Sequence, residues 1–347
     1  MLIMSEKKGF DELSKKVIST DICSRCGACV LVCPYAGVLD YADLSPRLVG
    51  ECVDCGICLK VCPRYEPQTE NLESSVFGRP RTDEESFGIF KRILVARSRD
   101  GEVIKKCQDG GVATTLLLGA LKSGMIDGAI LSGVDPSVPW LPVPKVAITR
   151  EEIIASAGTR YSFSPNLLAV KEALSKGLKK VALVGTPCEV QAVRMIQQVP
   201  LRKYGDAIKF TIGLFCTESF SYEGLMLKGI KEGLGLDLKS VAKVNIKGKV
   251  LVSTESGEVY KIPLKEAKEY SETKCQYCTD FSAELADISV GGVGLEGWTL
   301  TVLRTDLGVS VFEEAVRNWL LEVKPAEEFG SAMDLLVKLS AAKRKGE

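Results

Sequence analysis

At 347 residues and 46% apolar content, the chain is long enough for two or three domains with sizeable cores. Lys plus Arg and Asp plus Glu number 45 each, so no global field recommends nucleic acid or an anionic membrane as partner. Histidine is absent, which removes His-ligated metals, Ser-His and Cys-His nucleophiles and histidine acid–base catalysis, and leaves the chemistry to cofactors.

In chain order, the N-terminal apolar run is too short for a signal peptide. No stretch approaches the roughly 18 apolar residues of a membrane span. Thirteen cysteines without an export signal imply a reducing cytoplasm. Residues 10–20 read as a short helix, with Phe10, Leu13 and Val17 on one stripe.

Eight of the thirteen cysteines then fall in two runs of one pattern: Cys23, Cys26, Cys29, Cys33-Pro34 and Cys52, Cys55, Cys58, Cys62-Pro63, each position offset by 29 from its counterpart. Three thiolates spaced two residues apart reach three irons of one cubane only if the backbone wraps around it, which Gly27 and Gly56 permit. In two-cluster ferredoxins the last cysteine of each run serves the other cluster. Cys23, Cys26, Cys29 and Cys62 are therefore assigned to one [4Fe-4S] centre, and Cys52, Cys55, Cys58 and Cys33 to a second. Structural zinc is the alternative, but zinc ribbons pair two Cys-x2-Cys knuckles, without the third close cysteine and the trailing proline.

Residues 67–90 are polar and irregular and read as a surface linker. From Arg92 strands and helices alternate: strands at 92–98, 127–134, 180–185 and 208–215, and helices at 112–123, 164–177, 187–199 and 222–233. The 164–177 helix is expected to start with Ser164 as cap and Pro165 at the first position. Residues 241–262 suggest a small antiparallel meander, 286–290 and 298–304 two more strands, and 309–321 and 326–343 closing helices. The fold class is thus α/β, or α+β: a two-cluster ferredoxin-like domain (1–66), the linker, a layered α/β domain (91–324) and a C-terminal helix (325–347).

Of the remaining cysteines, Cys188 follows the strand KVALVG and Cys216 ends the strand FTIGLFC, while Cys275 and Cys278 share an irregular loop. Ligands collect beyond the carboxyl ends of strands in open α/β sheets, so two strand ends can aim both thiols at one point. Four gathered thiolates favour a third [4Fe-4S] over zinc beside a ferredoxin. Core packing for each cysteine, or a redox dithiol at Cys275 and Cys278, remain alternatives. Cys107 receives no metal role.

One-electron clusters serve a catalyst that exchanges two electrons, and a flavin is the natural converter. Gly292-x-Gly294-x-x-Gly297 matches a dinucleotide fingerprint, but a strand rather than the required helix follows it. Better ligand loops are Gln108-Asp109-Gly110-Gly111 leading to Thr114, and Gly158-Thr159-Arg160-Tyr161-Ser162-Phe163-Ser164, each just before a helix start.

These segments carry a resemblance: QDGGVAT (108–114), AGTRYS (157–162), GTPCEVQA (185–192), GLFC (213–216), KCQYCTD (274–280) and ADISVGGVG (286–294). Together, across roughly residues 91–322, they resemble the beta-subunit family of coenzyme F420-reducing hydrogenases and F420-linked dehydrogenases. With the fused ferredoxin, the whole is similar to the electron-input subunits of archaeal membrane-bound F420 dehydrogenase complexes. The resemblance implies an oxidoreductase that binds FAD and the deazaflavin coenzyme F420 and passes hydride between them, with Cys188, Cys216, Cys275 and Cys278 holding a cluster beside the flavin. Implied flavin contacts are Gln108, Gly110, Gly111, Thr114, Gly158, Thr159, Arg160, Tyr161, Ser162, Ser164 and Thr186. No residue is assigned as catalytic, since hydride passes between stacked cofactors. Lys105, Lys106, Lys145, Arg160 and Arg194 are candidates for the anionic deazaflavin tail, and Gly292 stands where the family often carries an acid. The implied acceptor is a ferredoxin or a membrane quinone or methanophenazine oxidoreductase complex. The implied location is the cytoplasm, free or on the cytoplasmic face of a membrane.

Overall fold

A computed structural model describes residues 8–346. In each cysteine run, the residue before the second cysteine and the glycine after it take left-handed backbone: Arg25 (φ 57°) and Gly27 (φ 77°), then Asp54 (φ 54°) and Gly56 (φ 71°). Residues with a side chain rarely hold that conformation, so its recurrence at the same offset makes the duplication structural as well as sequential. Each glycine caps a short helix, Ala28–Val32 or Ile57–Lys60. Strands β1 (Leu39–Ala42) and β2 (Ser45–Leu48) form a hairpin between the two halves. The leading helix Phe10–Leu13 continues into a wider π-type turn over Ser14–Ile18, and packs Phe10, Leu13 and Val17 into one cluster with Cys29 and Cys58.

The remaining strands are β3 (Arg92–Ser98), β4 (Gly128–Val134), β5 (Pro142–Ala147), β6 (Val181–Gly185), β7 (Ile208–Leu214), β8 (Val241–Ile246), β9 (Lys249–Thr254), β10 (Val259–Pro263), β11 (Ile288–Gly291), β12 (Thr299–Leu303) and β13 (Leu321–Pro325). Eight of them form one sheet in the order β13-β3-β12-β11-β7-β6-β4-β5. Its centre, β11-β7-β6-β4, is parallel, and the flanking pairs are antiparallel. Parallel strands covered on both faces need near-continuous apolar sequence, which VALVG and FTIGL supply. The helices α1 (Val112–Lys122), α2 (Pro187–Gln198), α3 (Asp306–Arg317) and α4 (Gly330–Lys345) provide the cover. Leu116 and Leu117 of α1 share a core with Phe312 of α3, and Val190, Val193 and Ile196 of α2 belong to another. Strands β8, β9 and β10 form the separate antiparallel meander that the sequence suggests.

The ferredoxin-like module is welded to this body. Leu31, Val32 and Val61 lie in the same buried cluster as α2, and the Lys171 ammonium donates to the Val30 carbonyl at 2.9 Å. A Cβ on Gly27 would come within 2.8 Å of Leu168 Cγ, so the glycine serves both the turn and the close approach of the two parts.

Two expectations need correction, and two strands are additional to those expected. The stretch 67–90 is not a bare surface linker, because it holds the helix Thr69–Phe77, whose Leu72 is fully buried against the α2 side of the core. The helix expected to be capped by Ser164 starts two residues later as a 3-10 turn, Asn166–Leu168, since the Ser164 hydroxyl bonds the Asn166 side chain instead. The edge strands β5 and β13 were not legible, because PVPKVA contains two prolines and LEVKP ends on one, and edge strands tolerate a residue without an N–H. The glycine triplet 292–297 does lead into a strand, β12, antiparallel to β11. Among the described residues no helix is long and apolar enough to cross a membrane.

If 67–90 packs as a strap, Leu72→Ala should lower stability by about 2–4 kcal/mol through the cavity it leaves. A denaturant-midpoint shift near zero would return the segment to the status of a connector.

Candidate redox centres and ligand loops

The left-handed turns fold each cysteine run back on itself, and the fourth cysteine of each run lies with the other. Burial pushes the Cys26 thiol up to about 12, with Cys62 and Cys23 as charged neighbours. Cys62 is pushed up to about 11 by burial, with Cys23 beside it. Cys58 reaches about 12 by burial and has Cys55, Cys52 and Cys33 around it. One cavity is lined by Cys23, Cys26, Cys29 and Cys62 together with Leu13, Val17, Ile18 and Pro46, an apolar cage open to four sulfurs.

The third set forms where two neighbouring parallel strands end. Cys188 opens α2 directly after β6, and Cys216 lies two residues past β7. Cys275 and Cys278 come from a loop that the body holds over those strand ends. The Cys216 thiol is raised well above its ordinary value, chiefly by burial and then by Cys275, Cys188 and Cys278. Polar groups already lie against the sulfurs: the Ser219 N–H donates to Cys275 Sγ at 3.3 Å, and Thr186 Oγ1 lies 3.2 Å from Cys188 Sγ. Among the described residues no three His, Cys, Asp or Glu side chains converge tightly enough for a single metal ion. The sulfurs of each set are neighbours of one another.

Two cations adjoin the third set. Arg64 Nη1 donates to the Tyr277 carbonyl, between Cys275 and Cys278, while its buried Nε has no hydrogen-bond partner among the described residues. Burial alone would lower the Arg64 value, but Cys278, Cys188 and Cys275 outweigh it and leave the value raised. Lys343 of α4 donates to the Cys275 carbonyl at 2.8 Å and to the Thr217 carbonyl. Among the described residues neither cation meets a carboxylate within ion-pair distance. A cation with an orphaned buried nitrogen beside four thiols fits an anionic group held by those thiols, as a [4Fe-4S] centre would be.

The first and third sets are joined by a charged seam. Arg25 pairs with Glu272 at 2.9 Å, and buried Lys274 pairs with Asp21 and Glu272 at 3.0 Å each.

The two ligand loops meet. Gln108 Oε1 accepts from the Thr159 N–H at 3.4 Å, and its Nε2 lies 3.5 Å from the Tyr161 hydroxyl and donates to the Val244 carbonyl at 3.1 Å. Gly111 takes φ 73° at the start of α1, and Gly110 N–H donates to Thr299 Oγ1 at 3.0 Å. Thr114 is buried in the first turn of α1, and Gly158 (φ 88°) and half-buried Ser162 complete the second loop. Tyr161 stands edge-on to Phe220 at 6.4 Å, and its carbonyl accepts from the Phe220 N–H, tying the loop to the segment after Cys216. Thr186 joins the capping box at the start of α2.

The cations differ from expectation. Arg160 spends its fork on the carbonyls of Ala157, Gly158, Ser132 and Ser156, and burial lowers it to about 10. Arg194 turns away into an ion pair with Asp287 at 3.0 Å. Lysines from the meander reach the loops instead: Lys243 donates to the Cys107 and Gln108 carbonyls, and Lys247 lies 3.9 Å from Asp109. No sequence signal marks these two, since a strand alternating with lysine reads as a solvated face. Gly292 has a local reason to lack a side chain: its Cβ would meet the Asp109 carboxylate at 2.3 Å.

The chain is similar to known proteins along most of its length. Residues 93–171 and 178–329 match the models described as coenzyme F420 hydrogenase/dehydrogenase, beta subunit N-term and C terminus, and 15–63 match a 4Fe-4S dicluster domain. The coenzyme F420 hydrogenase subunit beta of Methanothermobacter thermautotrophicus is 43% identical over 74% of this chain and 92% of its own length. A subunit of the F(420)H(2) dehydrogenase of Methanosarcina mazei is 32% identical over 95% of this chain and 92% of its own. One polypeptide in a structure of the F420-reducing [NiFe] hydrogenase complex from Methanosarcina barkeri superposes with TM-score 0.73 at 42% identity, covering 76% of this chain and 92% of that one.

Glu189 binds the third set to the second loop: it accepts from the Asn166 N–H at 2.9 Å and the Thr186 N–H at 3.1 Å, and burial raises it to about 7. A raised carboxyl contributes fully below its ordinary value of 4.5, and the contribution is lost as pH rises through about 7. Stability should therefore fall by up to roughly 3 kcal/mol between those limits. Denaturant midpoints from pH 5 to 8 should show the fall in the natural chain and a flatter profile in Glu189→Gln.

Proposed function

The chain belongs to the coenzyme F420 hydrogenase/dehydrogenase beta-subunit family, and from that membership we propose that it oxidises reduced coenzyme F420 and passes the electrons singly through three [4Fe-4S] centres to a protein partner. The observation that carries this reading is the series of three four-thiol sets, the last of which lies beside the two converging ligand loops. FAD bound at those loops would supply the conversion between a hydride and two single electrons.

The chain's own residues hold and orient. The Gln108–Thr159–Tyr161 contacts fix the two loops against each other, and Gly110 and Gly111 let the start of α1 pack tightly on Ala96, Thr299 and Val103, at a helix start where free N–H groups favour an anion. Lys243 and Lys247 bring positive charge to the same place and suit the phosphates of a flavin or the anionic tail of the deazaflavin. Ring-to-ring hydride transfer needs orientation more than a proton shuttle, which agrees with a chain that has no histidine. Zinc is less well supported at the first two sets, because residues 15–63 match a 4Fe-4S dicluster domain and carry a third close cysteine and a trailing proline that zinc ribbons lack.

The second set supports an exit. Cys55 is exposed, and Tyr35, Leu48, Val49 and Val53 around it are each 40% or more accessible. Exposed Asp40, Glu51 and Asp54 belong to the same stretch of chain, as does exposed Arg47, which faces Asp40 across the β1–β2 hairpin. Exposed apolar side chains beside an exposed cysteine of the second set suit an apolar contact with a redox protein or a membrane-complex subunit.

Purified anaerobically, the chain should carry one flavin and about twelve irons. Reduced coenzyme F420 should bleach the flavin in stopped flow, while NADPH should not. A colourless supernatant after acid precipitation, or bleaching by NADPH alone, would replace this reading. Lys243→Met should leave iron content unchanged and lower flavin retention about tenfold, measured as flavin per chain after gel filtration.

A further inference from the structure

The first set is flanked by charges that are largely paired, since Arg25 and Lys274 share Glu272 and Asp21. The third set is different. Arg64 and Lys343 are anchored on the carbonyls of Tyr277, Cys275 and Thr217, next to three of its four cysteines, without a carboxylate partner among the described residues. Their hydrogen bonds fix both side chains, so their charge is part of the site rather than of the solvent. At Cys58 of the second set, the charged neighbours among the described residues are other thiols, Cys55, Cys52 and Cys33.

Reducing a thiolate-bound cluster adds one negative charge to a site that is already anionic. A fixed cation nearby stabilises the reduced form more than the oxidised one, so the reduction potential rises. We propose that Arg64 and Lys343 act together as potential-setting residues, holding the centre at Cys188, Cys216, Cys275 and Cys278 above the potential its thiolate cage alone would give. The inference rests on the three-cluster reading. It also makes the ferredoxin-like module more than a wire, because Arg64 follows Cys62-Pro63 and reaches the body only when the module is seated. Seating the module would then raise the potential of the first electron acceptor beside the flavin site.

The two cations differ in reach. Arg64 also follows Cys62 of the first set by two residues, whereas Lys343 is held on the Cys275 and Thr217 carbonyls of the third set. Redox titration of the whole iron-loaded chain, followed by electron paramagnetic resonance, separates these effects. The third centre is identified as the signal lost in Cys275→Ala. Lys343→Met should disfavour reduction of that signal alone by about tenfold, a fall of about 59 mV for one electron. Arg64→Gln should lower the same signal by a like amount and the first-set signal by less, and Arg64→Lys should restore most of the loss. Full iron content with unmoved midpoints in both Arg64→Gln and Lys343→Met overturns the proposal and leaves the three-cluster reading standing. Iron for only two clusters in the natural chain overturns that reading, and this proposal with it.

Discussion

Buried sulfur is the constraint on which the rest of the structure depends. Thiols pushed to about 11 or 12 by burial hold their protons at neutral pH, so the cages at Cys26, Cys58 and Cys62 become thiolate only if something cationic replaces the protons. Much of the surrounding architecture answers this need. Left-handed turns bend the chain around the sulfurs, backbone N–H groups point at them, and Arg64, Lys343, Lys274 and Arg25 stand near two of the three sets.

The sheet supplies the second half of the design. Parallel strands deliver their following residues to one edge, and adjacent strands β6 and β7 deliver Cys188 and Cys216 side by side. The same edge receives the loops at Gln108 and Thr159 through the Tyr161–Phe220 tie. A ligand at those loops and a group at those thiols would share one end of the sheet, where open α/β folds bind ligands. Proximity follows from strand order, without further machinery.

The parts legible in the sequence were those fixed by spacing or by apolar periodicity. Cysteines 29 residues apart announced the duplicated module, and VALVG and FTIGL announced central strands. What escaped was set by partners distant in sequence. Leu72 reads as polar-linker sequence because its helix carries only one buried apolar side chain, and its burial depends on α2, more than a hundred residues later. Lys243 and Lys247 look like the wet side of a hairpin until the meander folds over the Gln108 loop. Arg160 looked like a free cation because four carbonyl acceptors give no signature in composition. The fold was readable from local rules, while the charge pattern of the site was not, because a cation's role depends on which acid, carbonyl or thiol it meets.

That distinction bears on how the appended module and the body work as one protein. A linear relay would need only contact between them, and apolar packing of Leu31 and Val61 against the α2 core would provide it. The seam contains more than that: Arg25 with Glu272, Lys274 with Asp21, and Arg64 on the Tyr277 carbonyl. All three contacts end on the loop at 272–278, which carries two of the third-set cysteines. Buried or half-buried ionic contacts rarely add much net stability over apolar ones, because desolvation offsets attraction. Their strength is in specifying one arrangement and in setting the local field. Concentrated on this loop, they tie the position of Cys275 and Cys278, and the charge around them, to the seating of the module.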